Sequence, residues 1–275
     1  MEVRRYSSAA DFLDATKDFR SLDPVRTGLI TSIAISVATG SRTYEDYFWW
    51  SVSQDNRVVG LAIRTVPYGY VFSPMGTDAV EELYSFISVE DSFAHEFAGP
   101  KDVIDYLVRI SGKAVTESEG ELIYECQKLI PAKPVGEFRA ANESDFNLIY
   151  NWMKTFMVTT GLRMYDLERV VRTGLIAGRY YLLILQGAPI SMGGHSDLQI
   201  FEGFSIGRVG PIYTPEEFRK KGYASALTSE ITKTLISQGA LPTLYTQAAN
   251  PTSNKIYQKI GYTLVDENLR VVFRM

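Results

Sequence analysis

Short apolar runs of strand length, separated by turn residues, recur along the chain, and between them lie longer segments whose apolar positions return with helical spacing. In the first half Tyr47 to Val52 and Val58 to Arg64 flank the turn residues Gln54, Asp55 and Asn56, and Tyr68 to Phe72 predicts another strand. In the second half Tyr180 to Leu185 and Pro189 to Met192 flank Gln186 and Gly187, and Ser205 to Tyr213 predicts a later strand. Each half thus follows one order: an amphipathic helical region, a hairpin, a longer strand, then helix, strand, helix and a final strand. Identity between the halves is too low for a sequence repeat, so an ancient duplication is inferred from the order of elements. The boundary falls at Pro131, Ala132, Lys133, Pro134, Val135 and Gly136, after a strand-like run from Leu122 to Ile130, because two prolines deny backbone donors and a glycine frees the chain. The expected domains are 1–131 and 135–275, of α/β (α+β) class.

A length of 275 residues suits two compact units, and 45% hydrophobic with 22% charged residues is the composition of a soluble globular protein. The formal net charge of -4 argues against a nucleic-acid partner, whose phosphates demand a surface excess of Lys and Arg. Cys126 is the single cysteine and His95 and His195 the only histidines, so no cluster of metal-ligand spacing exists and no metal is expected. A reducing cytoplasm is the expected compartment. No segment approaches ~20 uninterrupted apolar residues, so no membrane partner is expected.

The chemistry is concentrated between residues 206 and 262. Gly210 and Pro211 interrupt the strand Ile206 to Tyr213 in a way that suits a bulge. The turn Thr214 to Phe218 follows, and Arg219, Lys220, Lys221, Gly222, Tyr223 and Ala224 open a helix whose apolar face is Ala224, Leu227, Ile231 and Leu235 and whose end falls at Gly239. A strand, a tight turn and a helix start leave converging N–H groups at the positive end of the helix dipole, which makes a diphosphate site. The pattern Arg-x-x-Gly-x-Ala also occurs at Arg109 to Ala114, but there it closes the helix Val103 to Ile110, with Gly112 as the left-handed cap.

About thirty residues on, Leu244 to Thr246 predicts a short strand, Asn250 an N-cap, Pro251 the first helical residue and Gly261 a helix end. Tyr257 sits inside this helix, seven residues after Asn250. On its own it reads as one of 17 tyrosines, packing beside Ile256 and Ile260.

Together these two features, ending in Asn-x-x-Ser-x-x-x-Tyr-x-x-x-Gly-Tyr, resemble the core of the GNAT acetyltransferase superfamily, and the chain looks like a bacterial tandem-GNAT protein whose N-terminal half is degenerate. The resemblance implies two GNAT-like domains in tandem, each a mixed, mostly antiparallel sheet flanked by helices, with a splayed strand pair in the second. It implies acetyl-CoA as co-substrate. Pantetheine would pair with Ile212, Tyr213 and Thr214, and the diphosphate would lie on the amides of Lys220, Lys221, Gly222, Tyr223, Ala224 and Ser225, with Arg219 supplying charge beside Lys220 and Lys221. Asn250 and Ser253 fall near the cofactor's arm, and Tyr257 takes the place of the family's acid. Position 224 is alanine where many members have glycine, and the position of the glutamate base in some members falls nearest Arg208, so no base carries over.

The expected activity is direct transfer of an acetyl group to a primary amine of a small molecule or peptide, with a bulged-strand N–H near Tyr213 holding the carbonyl oxygen. His195 has the right intrinsic pKa for a base and Glu202 the right chemistry, while a strand-end histidine and a solvated loop acid explain both without function; ordered water or an already neutral amine is the alternative. Trp152, Phe156 and Tyr165 are candidate pocket residues, with core packing as the other account of the first two. A CoA-liganded sensor that has lost its acceptor site is the alternative function. In the first half the corresponding turn is Phe72 to Asp78, leading to a helix Ala79 to Ile87; it has one glycine, no cation, and Asp78, Glu81 and Glu82 at the helix start, so no second cofactor site is expected.

Overall fold

The computed structural model describes residues 1–164 and 166–274, which form two compact units. In chain order the elements are β1 (Glu2–Tyr6), α1 (Ala9–Ala15), α2 (Lys17–Leu22), α3 (Gly28–Ala38), β2 (Tyr47–Gln54), β3 (Arg57–Thr65), β4 (Tyr70–Phe72), α4 (Thr77–Glu90), β5 (Glu96–Pro100), α5 (Lys101–Ser111) and β6 (Val115–Glu125). The second half continues with β7 (Glu137–Ala140), α6 (Phe146–Thr160), α7 (Leu167–Ile176), β8 (Tyr180–Leu185), β9 (Ala188–His195), β10 (Gln199–Phe201), β11 (Phe204–Tyr213), α8 (Tyr223–Ser237), β12 (Ala240–Gln247), α9 (Pro251–Lys259) and β13 (Thr263–Phe273).

The first unit holds residues up to Ile123, a short piece from Thr246 to Ala249 and the chain from Leu264 onward. Its strands run in the order β1-β2-β3-β4-β5-β13-β6, with β4 and β5 parallel. Strand alternation sorts the aromatic run of β2 between two cores: Trp49 joins Phe12, Ile30 and Ala34 under α1 and α3, whereas Phe48 and Trp50 join Leu83 and Ile87 of α4 and Leu107 of α5. The second unit, Tyr124–Tyr245 and Asn250–Thr263, carries the order β12-β11-β9-β8-β7, with β10 on β11. Helices α6 and α7 bury Ile149, Met153 and Val171 against Leu182 and Met192 on one face. Helix α8 covers the other, where Ile231 faces Gly193 and Leu235 faces Gly207.

Two features differ from the linear reading. The strand expected at Leu122 to Ile130 runs instead from Val115 to Glu125, because an exposed polar stretch can pair its backbone without an apolar alternation to announce it. The compact units part at residues 123 and 124, and β13 lies with the first unit, beside β5 from Asn268↔Pro100 to Val272↔Glu96. There Arg270 bonds Glu96 at 2.7 Å, and Val271 and Phe273 enter the core beside Phe97. Apolar alternation says that a strand is half buried; it does not say against which edge.

Gly261 shows what holds α9 to its surroundings. It has φ +100°, and a Cβ there would stand 2.2 Å from the carbonyl oxygen of Lys128. Gly261→Ala is therefore expected to destabilise the protein by roughly 2–4 kcal/mol, combining backbone strain with a clash against main chain. Chemical denaturation of the variant measures it.

Candidate functional site

The site begins with a parting of two strands. β11 and β12 are parallel partners from Ser205↔Ala240 to Arg208↔Thr243, and no pairing between them follows among the described residues, although both strands run on. On its other edge β11 meets β9 with a register shift: Val209 pairs His195 and Ile212 pairs Gly193, so β11 carries one residue more than its partner across Gly210 and Pro211. This is the bulge expected from the Gly-Pro pair, and the strand that bends there is the one that leaves β12. An open edge of β11 results, on the side from which β12 has parted.

At the far end of β11 the chain turns into α8. Thr214 and Pro215 lead into a 3-10 turn at Glu216–Phe218, after which Lys220 (φ 63°) and Gly222 (φ 83°) are both left-handed. The first helical bond is Ala226 N–H to Gly222 O at 3.0 Å, and no side chain caps the helix, so the N–H groups of Tyr223, Ala224 and Ser225 have no intrahelical acceptor. Left-handed residues alternating with ordinary ones turn successive amides to one side, and the dipole of the fifteen-residue helix stands behind them. A Cβ on Gly222 would meet nothing within 4 Å, so the chain is not crowded at that position. The cations divide their work: Arg219 Nε donates to Thr214 O at 3.0 Å and Lys221 Nζ to Glu217 O at 3.1 Å, bracing the loop, while Lys220 stands exposed.

Ser191 is a residue the linear reading missed. It is fully buried on β9 and donates from Oγ to Tyr213 O at 2.9 Å, while the Thr214 hydroxyl lies 2.8 Å from the same Oγ. It fixes the end of β11 where Ile212, Tyr213 and Thr214 are half-buried. The signal was a serine inside the otherwise apolar run Pro189 to Met192.

Helix α9 starts as expected, with Pro251 in its first turn and Asn250 Oδ1 accepting from Ser253 N–H at 3.1 Å. Asn250 is exposed and Ser253 half-buried. Tyr257 is half-buried, edge-on to Tyr262 at 6.1 Å, and Tyr262 bonds Thr232 of α8 at 2.7 Å, so the tyrosine pair ties α9 to α8. Burial pushes the Tyr257 phenol up to about 12, against a smaller downward pull from a hydrogen bond with Ser253.

The two candidate bases are placed apart. His195 is half-buried; its Nδ1 lies 2.8 Å from Ser196 O and its Nε2 3.3 Å from the Tyr181 hydroxyl. A neutral ring donating from Nδ1 and accepting at Nε2 satisfies both, and burial lowers its pKa further. Glu202 is exposed at the tip of the β10–β11 hairpin, where Phe201 pairs Phe204, about 20 Å of strand from Gly210. Neither is thus set beside the strand opening with a free acceptor atom. Trp152 packs against Tyr213 with ring centroids 5.8 Å apart, and Phe156 is half-buried on the same helix. Tyr165 lies outside the described residues. Cys126 is buried, with its thiol pushed up to about 11 by desolvation, which leaves it unreactive at neutral pH. No group of metal-ligating side chains occurs among the described residues, and no described helix is long and apolar enough to cross a membrane.

The family model for FR47-like proteins matches residues 201–271, which span β11 through β13. No curated protein matches the sequence. Among solved structures, a GNAT-family acetyltransferase from Colwellia psychrerythraea is similar with TM-score 0.68 at 13% identity over 100% of both chains. A GCN5-related N-acetyltransferase from Sphaerobacter thermophilus has TM-score 0.63 at 11% identity over 98% of this chain and 94% of its own. A tandem GNAT protein of the clavulanic acid biosynthesis pathway has TM-score 0.55 at 10% identity over 98% of each. The mixed sheets with flanking helices and the likeness along the whole chain show that this chain has the fold of GNAT acetyltransferases, as two GNAT-like domains in tandem, with the FR47-like match falling in the second.

Proposed function

We propose that the protein is an acetyl-CoA-dependent N-acetyltransferase whose working site lies in the second unit and whose acceptor is a primary amine of a small molecule or peptide. The observation that carries this reading is the uncapped start of α8 behind the left-handed Lys220 and Gly222, placed at the end of a strand that has parted from its neighbour. The turn fits a diphosphate and the opening fits an extended arm that pairs with Ile212, Tyr213 and Thr214. Acetyl-CoA would supply an activated acyl group. The chain's own residues would hold that group against the amine, converting a collision into a local event, with a bulged-strand N–H near Tyr213 on the carbonyl oxygen as it gains charge. A C–N bond forms as the C–S bond breaks, the Tyr257 phenol donates a hydrogen bond to the departing sulfur as it gains charge, the thiolate takes its proton from solvent, and the amine loses one to solvent or an ordered water. With both His195 nitrogens engaged, the amine enters neutral in this scheme. That engagement also favours, as second reading, a CoA-liganded sensor without turnover. Thiol release from acetyl-CoA across a broad amine panel decides: none with any amine, in protein that binds acetyl-CoA, overturns the enzyme in favour of the sensor.

One acetyl-CoA per chain is expected. In the first unit Ser73 is buried, its N–H bonded to Leu61 O at 3.0 Å and its Oγ accepting from Leu61 N–H at 2.9 Å, so the turn after β4 is consumed by the fold. Gly99 of β5 lies so close to Phe72 that a Cβ would stand 2.8 Å from its carbonyl, which leaves no parting between β4 and β5. Helix α4 starts with Asp78 in its first turn, and Glu81 and Glu82 follow, repelling an anion. Calorimetric titration should give a stoichiometry near one; two equivalent sites would refute it.

A further inference from the structure

We infer that Arg208 receives a carboxylate of the acceptor, so that the amine acetylated is an amino acid; this rests on the acetyltransferase reading above. Arg208 is the last residue of β11 paired with β12 before the strands part. Its neighbour Gly207 faces α8, since a Cβ there would meet Leu235, and strand alternation puts the Arg208 side chain on the opposite face. Its guanidinium carbon lies 5.2 Å from the Tyr245 ring centroid, and Tyr245 stands two residues beyond Thr243, the backbone partner of Arg208. The side chain therefore leans along the strand toward the opening. There it differs from every other arginine withdrawn from solvent among the described residues. Arg64 bonds Asp91, Arg139 bonds Asp145, Arg179 bonds Asp197, Arg270 bonds Glu96, and Arg20 bonds Leu13 O and Thr16 Oγ1. Arg208 is half-buried and has only the ring, with no side-chain hydrogen bond or ion pair among the described residues.

A half-buried guanidinium that faces only an aromatic ring keeps its N–H donors uncommitted, so it can take up an anion without first giving up another partner. Its planar fork matches a carboxylate with two parallel N–H···O bonds, and a single cation balances one such charge, whereas a phosphate dianion would need more. A substrate whose carboxylate docks on Arg208 would be held by a group beside the opening while its amine reaches the acyl carbon.

The test is a panel of amino acids with the carboxylate α, β or γ to the amine, each paired with its carboxamide, read by thiol release and by calorimetric binding in the presence of CoA. At least one carboxylate member is expected to be preferred over its carboxamide by roughly ten- to a hundredfold in kcat/KM or affinity. Arg208→Gln should bring that ratio toward one with acetyl-CoA affinity retained, and Arg208→Lys should restore part of it. Equal handling of every pair by the unaltered protein, or a preference that survives Arg208→Gln, overturns the inference and leaves the acetyltransferase standing. Failure to bind acetyl-CoA at all would instead remove the parent reading, and this one with it.

Discussion

Gly222→Glu is expected to lower acetyl-CoA affinity at least a thousandfold while the protein still folds. Two effects need separating, and their magnitudes differ. Gly222 has φ 83°, so any other residue there incurs roughly 1–2 kcal/mol of left-handed strain. Space adds nothing to that, because a Cβ meets no atom within 4 Å. That strain is a minor part of a typical stability of 5–15 kcal/mol. The new carboxylate, in contrast, would project into the opening in front of the Tyr223, Ala224 and Ser225 amides. Like charges ~4 Å apart repel by about 4 kcal/mol at the effective dielectric of a protein surface, before counting the amide contacts that a displaced diphosphate forfeits. Gly222→Ala separates the terms, since it carries the strain without the charge; its affinity should fall far less than that of the glutamate variant. Calorimetry on both, with circular dichroism to confirm folding, measures the contrast. Unchanged affinity in a folded Gly222→Glu protein would remove this turn from the proposal.

What the linear chain reveals of this architecture depends on whether the cause is local. The hairpins at Asp55, Asn56 and at Gln186, Gly187 follow from turn residues that accept positive φ, and the structure has all four there. The bulge follows from Gly210 and Pro211, and the end of α5 from Gly112 at φ 63°. Each is a property of two or three neighbouring residues. The placement of β13 beside β5 was invisible, because partner choice is settled by residues some 170 positions away, such as Arg270 with Glu96. The same holds for side-chain chemistry. His195 looked available as a base because intrinsic pKa is a property of the residue, but Tyr181 and Ser196 occupy its nitrogens only in the folded sheet. Glu202 lies close in sequence to the strand that matters, and the hairpin carries it to the wrong end. Conversely, the peculiarity of Arg208 consists in a missing partner, which a sequence cannot display.

Tyr257→Phe is expected to lower kcat by roughly ten- to a thousandfold with acetyl-CoA affinity little changed, the pattern for loss of a group that acts only as bonds are breaking. Its environment sharpens the expectation. With the phenol pushed up to about 12, against roughly 8.5 for a free thiol, complete proton transfer to sulfur is uphill by about 5 kcal/mol. A phenol this weak cannot protonate the thiolate once that ion is solvated and free; it contributes by a hydrogen bond that strengthens as charge builds on sulfur in the same buried setting. The loss should therefore lie toward the middle of the range, as for a single donor to a developing anion. The pH dependence follows from the same shift. Below about pH 11 Tyr257 keeps its proton, so it contributes no alkaline fall in kcat; the rate should climb with pH as the acceptor amine becomes neutral and then level off. A rate that declines between pH 8 and 10 in the unaltered protein, and loses that decline in Tyr257→Phe, would show a phenol ionising there and contradict its burial. Unaltered turnover in the variant would leave Tyr257 only its contact with Tyr262, as a packing residue between α9 and α8.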